Sequence, residues 1–345
     1  MATSSRFHAA AAAGSLFCWA ALSSAPAAAQ TTLTLSSWVP PAHTLTETQK
    51  AWCEELSKRV KGQVKCNALP RAVAAPPGTF DAVRNGLVDI SFTVHGYTPG
   101  RFTFTQMVEV PFLGDSAEAT SVAFQRMYQR HPQFAEEHKG VKVITVFTHG
   151  PGIVLNTKRP VTKMDDLTGL KWRIGGGMIN DITKAMGMNV TLKPAPESYE
   201  LLSTGVMDGT LFPAESVEGF KIEKVIKYAT RFPGGLYNTS FVFMMNQAKY
   251  DSLPADVKKE IDAMSGEYAA KMLGRGWDNV DRRGLAFMQA NGVQFTQADP
   301  AFVKAVGEKT APVIDAWVKA AAAKGMKDPR KLLADYRAEI KKLQQ

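Results

Sequence analysis

The sequence predicts an α/β fold built as two lobes around a cleft, with one long helix spanning both. Three observations carry this. Strand-like segments and helical segments alternate along most of the chain, the pattern of sheets flanked by helices. The 316 residues that follow an N-terminal leader exceed what one hydrophobic core comfortably serves. A helical pattern runs almost unbroken over 256–291, which at 1.5 Å per residue gives ~54 Å, long enough to brace two lobes.

Residues 1–29 have the parts of a secretory signal peptide: the cation Arg6, an Ala-rich apolar stretch with Leu16, Phe17 and Trp19, and small residues Ala27, Ala28 and Ala29 at the cleavage site. Cleavage near Ala29 would leave Gln30 first and place the protein in the periplasm. The apolar run is short and is interrupted by Ser23, Ser24 and Pro26, which argues against a membrane anchor. Cys18 is not followed by the start of a mature domain, so no lipoprotein anchor is expected.

The first lobe then reads in order. Residues 32–36 alternate as a strand, 44–61 form a helix ending before Gly62, and 64–69 form a second strand. A short helix over 80–85 leads to a buried strand at 90–94. Residues 116–139 read as one helix with Val122, Phe124, Met127 and Phe134 on its apolar side, followed by a strand at 141–147. Glycines and Pro151 mark a crossing into the second lobe near Ile153. That lobe holds a strand at 171–174, a helix over 179–186 and a short helix over 197–203; a strand at 237–245 returns to the first lobe. After the long helix, 300–323 and 328–343 are amphipathic helices. The predicted division is 30–152 plus 239–278 for lobe I and 153–238 plus 279–345 for lobe II.

The formal charge is +9, about +8 without Arg6, which favours anionic solutes. Lys and Arg are dispersed beside acids with no basic aromatic stripe, so nucleic acid is not an expected partner. Two cysteines remain after the leader. Cys53 lies on a predicted helix with Trp52, Leu56 and Val60, and Cys66 on a predicted strand with Val64 and Ala68. In an oxidising compartment they can form a disulfide if the geometry brings them together.

Catalytic signatures are missing: the sequence has no HExxH, GxSxG, Walker lysine loop or GxGxxG opening a helix. His43, His95 and His149 are too widely spaced to predict a metal site, and no cofactor is expected. What stands out is Arg173, a lone cation between Leu170, Trp172 and Ile174 and ahead of Gly175, Gly176 and Gly177. A buried guanidinium needs an acceptor, and its planar fork matches a carboxylate. Either a protein Asp or Glu supplies that acceptor, or the side chain snorkels to the surface, or a ligand fills the role. The glycines are read as letting backbone and ligand approach closely beside Arg173.

Two segments place Arg173 in a wider pattern: Asp166-Leu167-Thr168-Gly169-Leu170-Lys171-Trp172-Arg173, and Tyr199-Glu200-Leu201-Leu202-Ser203-Thr204-Gly205-Val206-Met207-Asp208-Gly209. With Gly86-Leu87-Val88-Asp89 and Val110-Pro111-Phe112-Leu113 upstream, the chain resembles the solute-binding proteins of TRAP (tripartite ATP-independent periplasmic) transporters, which include the C4-dicarboxylate receptors. The resemblance implies a two-lobe periplasmic receptor, not an enzyme, in which Arg173 binds the substrate carboxylate. It implies delivery to integral membrane permease subunits driven by an ion gradient, so no nucleotide site; a monomer is expected.

Two departures bear on the solute. The position 20 before Arg173, often a second cation in relatives, is Ile153; Phe212 stands where many have Asn. Both remove polar groups, which favours an aromatic or apolar monocarboxylate, 2-oxo acids included, over a dicarboxylate. A C4-dicarboxylate receptor is the alternative within the family. Strand ends and nearby loops add Trp38, Tyr97, His95, His149, Glu215 and Tyr237 as ligand-binding candidates. Each has a structural alternative: Trp38 and Tyr237 as core, Phe212 as hinge packing, Glu215 paired with a surface Lys. The rivals of other classes are a binding protein serving another permease or a sensor kinase, and a periplasmic α/β enzyme using His149 or Glu215 on an organic acid.

Overall fold

The computed structural model describes residues 1–2 and 30–344; the leader predicted over 1–29 lies outside the described residues apart from its first two. Eleven described strands are β1 (Thr31–Leu35), β2 (Val64–Ala68), β3 (Ile90–Val94), β4 (Val141–Thr148), β5 (Ile153–Asn156), β6 (Lys171–Ile174), β7 (Asn189–Leu192), β8 (Gly209–Phe212), β9 (Tyr228–Arg231), β10 (Ser240–Asn246) and β11 (Gln294–Gln297). They form two sheets, in the orders β2-β1-β3-β10-β4 and β11-β9-β5-β8-β6-β7.

In the first sheet β1, β2 and β3 run parallel, and β10 is antiparallel to both β3 and β4. Every residue of β10 is buried, as expected for a strand paired on both sides and covered on both faces. In the second sheet β6 lies parallel to β7 and β8, while β5 is antiparallel to β8 and β9. The chain crosses between sheets from β4 to β5, from β9 to β10 and from β10 to β11.

Two predicted helices are each broken by a backbone residue. The pattern over 116–139 becomes Ala117–Arg130 and Gln133–Glu137, separated at Pro132, which supplies no N–H to continue the first helix. The pattern over 256–291 becomes Ala255–Ala263 and Glu267–Ala290. Between them Gly266 adopts φ +64° and turns its N–H to the Ile144 carbonyl at 2.7 Å. The brace is therefore 24 residues, ~36 Å, yet it still reaches both sheets' helices. Asp278 caps Ala117–Arg130 through the Ala117 N–H at 2.6 Å, and Asp281 accepts from the Glu215 N–H at 2.9 Å.

The last helix, Pro329–Leu343, was expected with the second lobe, but packs on Ala117–Arg130 beside the first sheet. Tyr336 donates to the Thr120 carbonyl at 3.1 Å and Glu339 pairs with Arg126 at 2.7 Å. An amphipathic pattern states that one face is buried; it does not say against which partner.

Cys53 and Cys66 are joined as a disulfide between the helix Thr44–Arg59 and β2. Closing so short a loop removes unfolded-state freedom worth about 3 kcal/mol. Replacing both cysteines by Ser is expected to lower the unfolding free energy by about 2–4 kcal/mol in urea titrations, and dithiothreitol should then leave the double variant unchanged while weakening the wild type.

Candidate functional site

Arg173 owes its place to the two-residue period of β6. Its neighbour Trp172 points into the core, with its indole N–H on the Leu167 carbonyl at 3.0 Å. A side chain at Gly209 on β8 would fall 2.3 Å from the Trp172 ring, which explains the glycine there. Arg173 therefore points to the opposite face, into a cavity between the two sheets. Trp38, Tyr97, Phe212 and Tyr237 line this cavity together with Arg173.

Arg173 is 1% exposed. Its Nε donates to the Lys193 carbonyl at 2.8 Å, and the guanidinium lies 4.5 Å over the Phe212 ring. Among the described residues no carboxylate forms an ion pair with it; Glu197, an acid whose charge acts on it, pairs with Lys193 at 3.2 Å. Burial accordingly holds the guanidinium below its usual pKa, with Tyr97 and Tyr237 pulling the other way.

Around this cation the walls are aromatic. Phe212 stacks on Phe220 at 5.4 Å, Trp38 meets Tyr97 edge-on at 5.6 Å, and Tyr237 meets His149 edge-on at 5.3 Å. The Tyr97 hydroxyl accepts from the Ala195 N–H at 3.0 Å, and burial raises the pKa of both tyrosines. Ile153, expected in the pocket, is not among the residues that line it; it pairs directly with Phe212 in the β5–β8 ladder, beside it on the same face of the sheet.

His149 lines the cavity with its Nδ1 on the Gly150 carbonyl. A carbonyl only accepts, so Nδ1 carries the proton, and burial holds the imidazole pKa down at about 4. Glu215 also lines the cavity. Its partners are the Ser216 hydroxyl at 2.8 Å and His43 at 3.4 Å, and no Lys. His95 is not in this cavity. It lies behind β3, with its Nε2 2.8 Å from His138 and its ring against Phe102, because the turn His95–Tyr97 sends consecutive side chains to different sides. The described residues contain no cluster of three or more metal-ligating side chains.

The glycine run divides its roles. Gly175 lines the cavity beside Arg173, but Gly176 and Gly177 face the other lobe. A Cβ on Gly176 would meet the Gly96 carbonyl at 2.5 Å, so backbone meets backbone across the cleft.

The profile of the bacterial extracellular solute-binding protein family 7 matches residues 35–320. A TRAP periplasmic solute-binding protein of Bordetella bronchiseptica, solved with (R)- and (S)-mandelate, is 44% identical, with TM-score 0.88 over 91% of this chain and 99% of that one. A marine metagenome TRAP solute-binding protein specific for aromatic acid ligands, solved with 3-hydroxybenzoate, is 31% identical, with TM-score 0.86 over 92% of this chain and 99% of that one. The outer membrane transporter protein TsaT of Comamonas testosteroni is 31% identical over 93% of this chain and 95% of its own length. The chain belongs to the family 7 solute-binding proteins. These are TRAP transporter receptors of the periplasm that bind carboxylates and work with membrane permease subunits. No described helix is long and apolar enough to cross a membrane.

In this solute-binding protein the sequence reading missed His43, Trp277 and Phe220 as lining residues. Trp277 looked like one more apolar position of a long helix, and only the path of that helix past the cleft brings it in. Also missed was Glu109. It is 1% exposed and accepts from the Ser240 hydroxyl at 2.6 Å and from the Met178 N–H at 2.7 Å, at the start of the helix Met178–Ala185 across the cleft. Burial pushes its pKa up to about 7, against the lowering by these donors. Because the folded value lies above the ordinary 4.5, the folded state holds a proton that the unfolded state has released between those values. Stability should therefore fall as pH rises from about 4.5 to 7, by at most ~1.4 kcal/mol per pH unit. Glu109→Gln, which keeps the shape of the protonated acid, should flatten that slope in urea titrations repeated across pH.

Proposed function

We propose that this protein is an exported periplasmic receptor that captures an aromatic or apolar monocarboxylate between its lobes and passes it unchanged to a membrane permease. The observation that carries this reading is a buried Arg173 lying on the Phe212 ring with no ion-paired carboxylate among the described residues. A ligand carboxylate would complete the fork, and the dry surroundings would strengthen the pair. Arg173 is the one permanent cation among the described lining residues, which matches one carboxylate better than two.

The aromatic walls suit a flat apolar body. Phe212, Tyr97, Tyr237 and Trp38 would enclose it, with His149 and Glu215 at the rim of the polar end. The relatives solved with mandelate and 3-hydroxybenzoate have ligands of this chemistry. The lobes would be the first sheet with its helices, from 30–152 and the return at 239–278, and the second sheet from 153–238 with β11. The contacts at Gly176 and Glu109 would form as these close. The leader over 1–29 would direct export, and the receptor would act as a monomer without turning over its ligand.

Isothermal titration of residues 30–345 with benzoate, mandelate and succinate tests the reading. The two aromatic acids should bind with succinate at least tenfold weaker, and Arg173→Ala should lose at least 100-fold in affinity with its far-ultraviolet circular dichroism intact. Succinate binding more tightly than both aromatic acids, or unchanged aromatic affinity in Arg173→Ala, would overturn it.

A further inference from the structure

Two polar atoms in the wall of the Arg173 cavity have no partner. One is His149 Nε2 and the other is Trp277 Nε1. Both side chains are 3% exposed, both line the cavity, and their rings lie 6.0 Å apart. Buried polar atoms are nearly always bonded, so two orphans on side chains that line one cavity call for an occupant.

The two atoms differ in kind. An indole N–H can only donate. His149 donates through Nδ1 to the Gly150 carbonyl, so its neutral ring presents a bare lone pair at Nε2. His43, on the same cavity, has the opposite arrangement: its Nδ1 accepts from the Leu45 N–H, leaving Nε2–H to donate toward Glu215. The two neighbouring rings therefore offer one acceptor and one donor. A carbonyl oxygen would satisfy Trp277 but set its lone pairs against His149. A methylene would leave both unpaired. A hydroxyl serves both, donating its proton to His149 and accepting from Trp277.

We propose that His149 Nε2 and Trp277 Nε1 form a hydroxyl-recognition site, which makes this receptor select hydroxylated aromatic carboxylates over their 2-oxo and deoxy counterparts. This rests on the aromatic monocarboxylate reading and narrows it, since 2-oxo acids then become the poorer ligands. The hydroxyl is carried either on the carbon bearing the carboxylate or on the ring, and paired ligands separate these two.

The test is isothermal titration at pH 7 with mandelate, phenylacetate and phenylglyoxylate as one set and 3-hydroxybenzoate and benzoate as another. The hydroxy acid should bind about 10- to 100-fold more tightly than its counterparts in at least one set, and that set locates the hydroxyl. In Trp277→Phe and, separately, His149→Phe the ratio of hydroxy to deoxy affinity should fall toward one. Two variants are used so that a failure of either to fold leaves the other to decide. Equal affinities within both sets, as a resident water bridging the two atoms would give, would overturn the proposal, as would a ratio that survives in a folded variant. If none of the five acids bound, the carboxylate reading itself would fall, and this inference with it.

Discussion

The structure is organised around a buried cation that forms no ion pair with a carboxylate among the described residues. Arg173 is held by one backbone carbonyl and one aromatic face, in a setting where burial opposes its charge. A folded chain pays for such a group only if something else is gained. Its neighbours keep it in place without pairing its charge. Trp172 and Gly209 lock the phase of β6, Lys193 fixes the Nε, and Phe212 supplies a face that attracts the guanidinium while offering no acceptor.

The two sheets meet over this residue through contacts that tolerate little change. Gly96 and Gly176 bring main chain against main chain, Tyr97 reaches the Ala195 N–H, and Glu109 reaches the start of the helix Met178–Ala185. The helix Glu267–Ala290 ties both sides from behind through Asp278 and Asp281, and the same helix delivers Trp277 to the cavity. One element thus joins the frame to the chemistry of the site. Contacts this close are made or broken as units, which suits a cleft that opens and shuts around its contents.

Much of this was legible in the sequence, for identifiable reasons. Arg173 stood out because a single charge in a buried strand conflicts with its surroundings, and such conflicts mark function. Trp38, Tyr97, His149, Glu215 and Tyr237 followed from their places at strand ends and nearby loops, Phe212 from its departure from the family motif, and the cavity includes all six. His95 failed because a tight turn separates neighbours that sequence places together. The breaks at Pro132 and Gly266 were underweighted against strong apolar periodicity. The four-residue strands β7, β8, β9 and β11 are too short for alternation to register. Trp277 and Glu109 act across long sequence separations, which no local pattern records.

The central claim is that the partner of Arg173 is a ligand carboxylate. A crystal structure of residues 30–345 grown with 3-hydroxybenzoate addresses it directly. The account predicts the carboxylate in a two-bonded fork on the Arg173 guanidinium, with the ring between the aromatic walls. A ligand bound elsewhere, or Arg173 turned onto a protein carboxylate with the ligand in place, would contradict it.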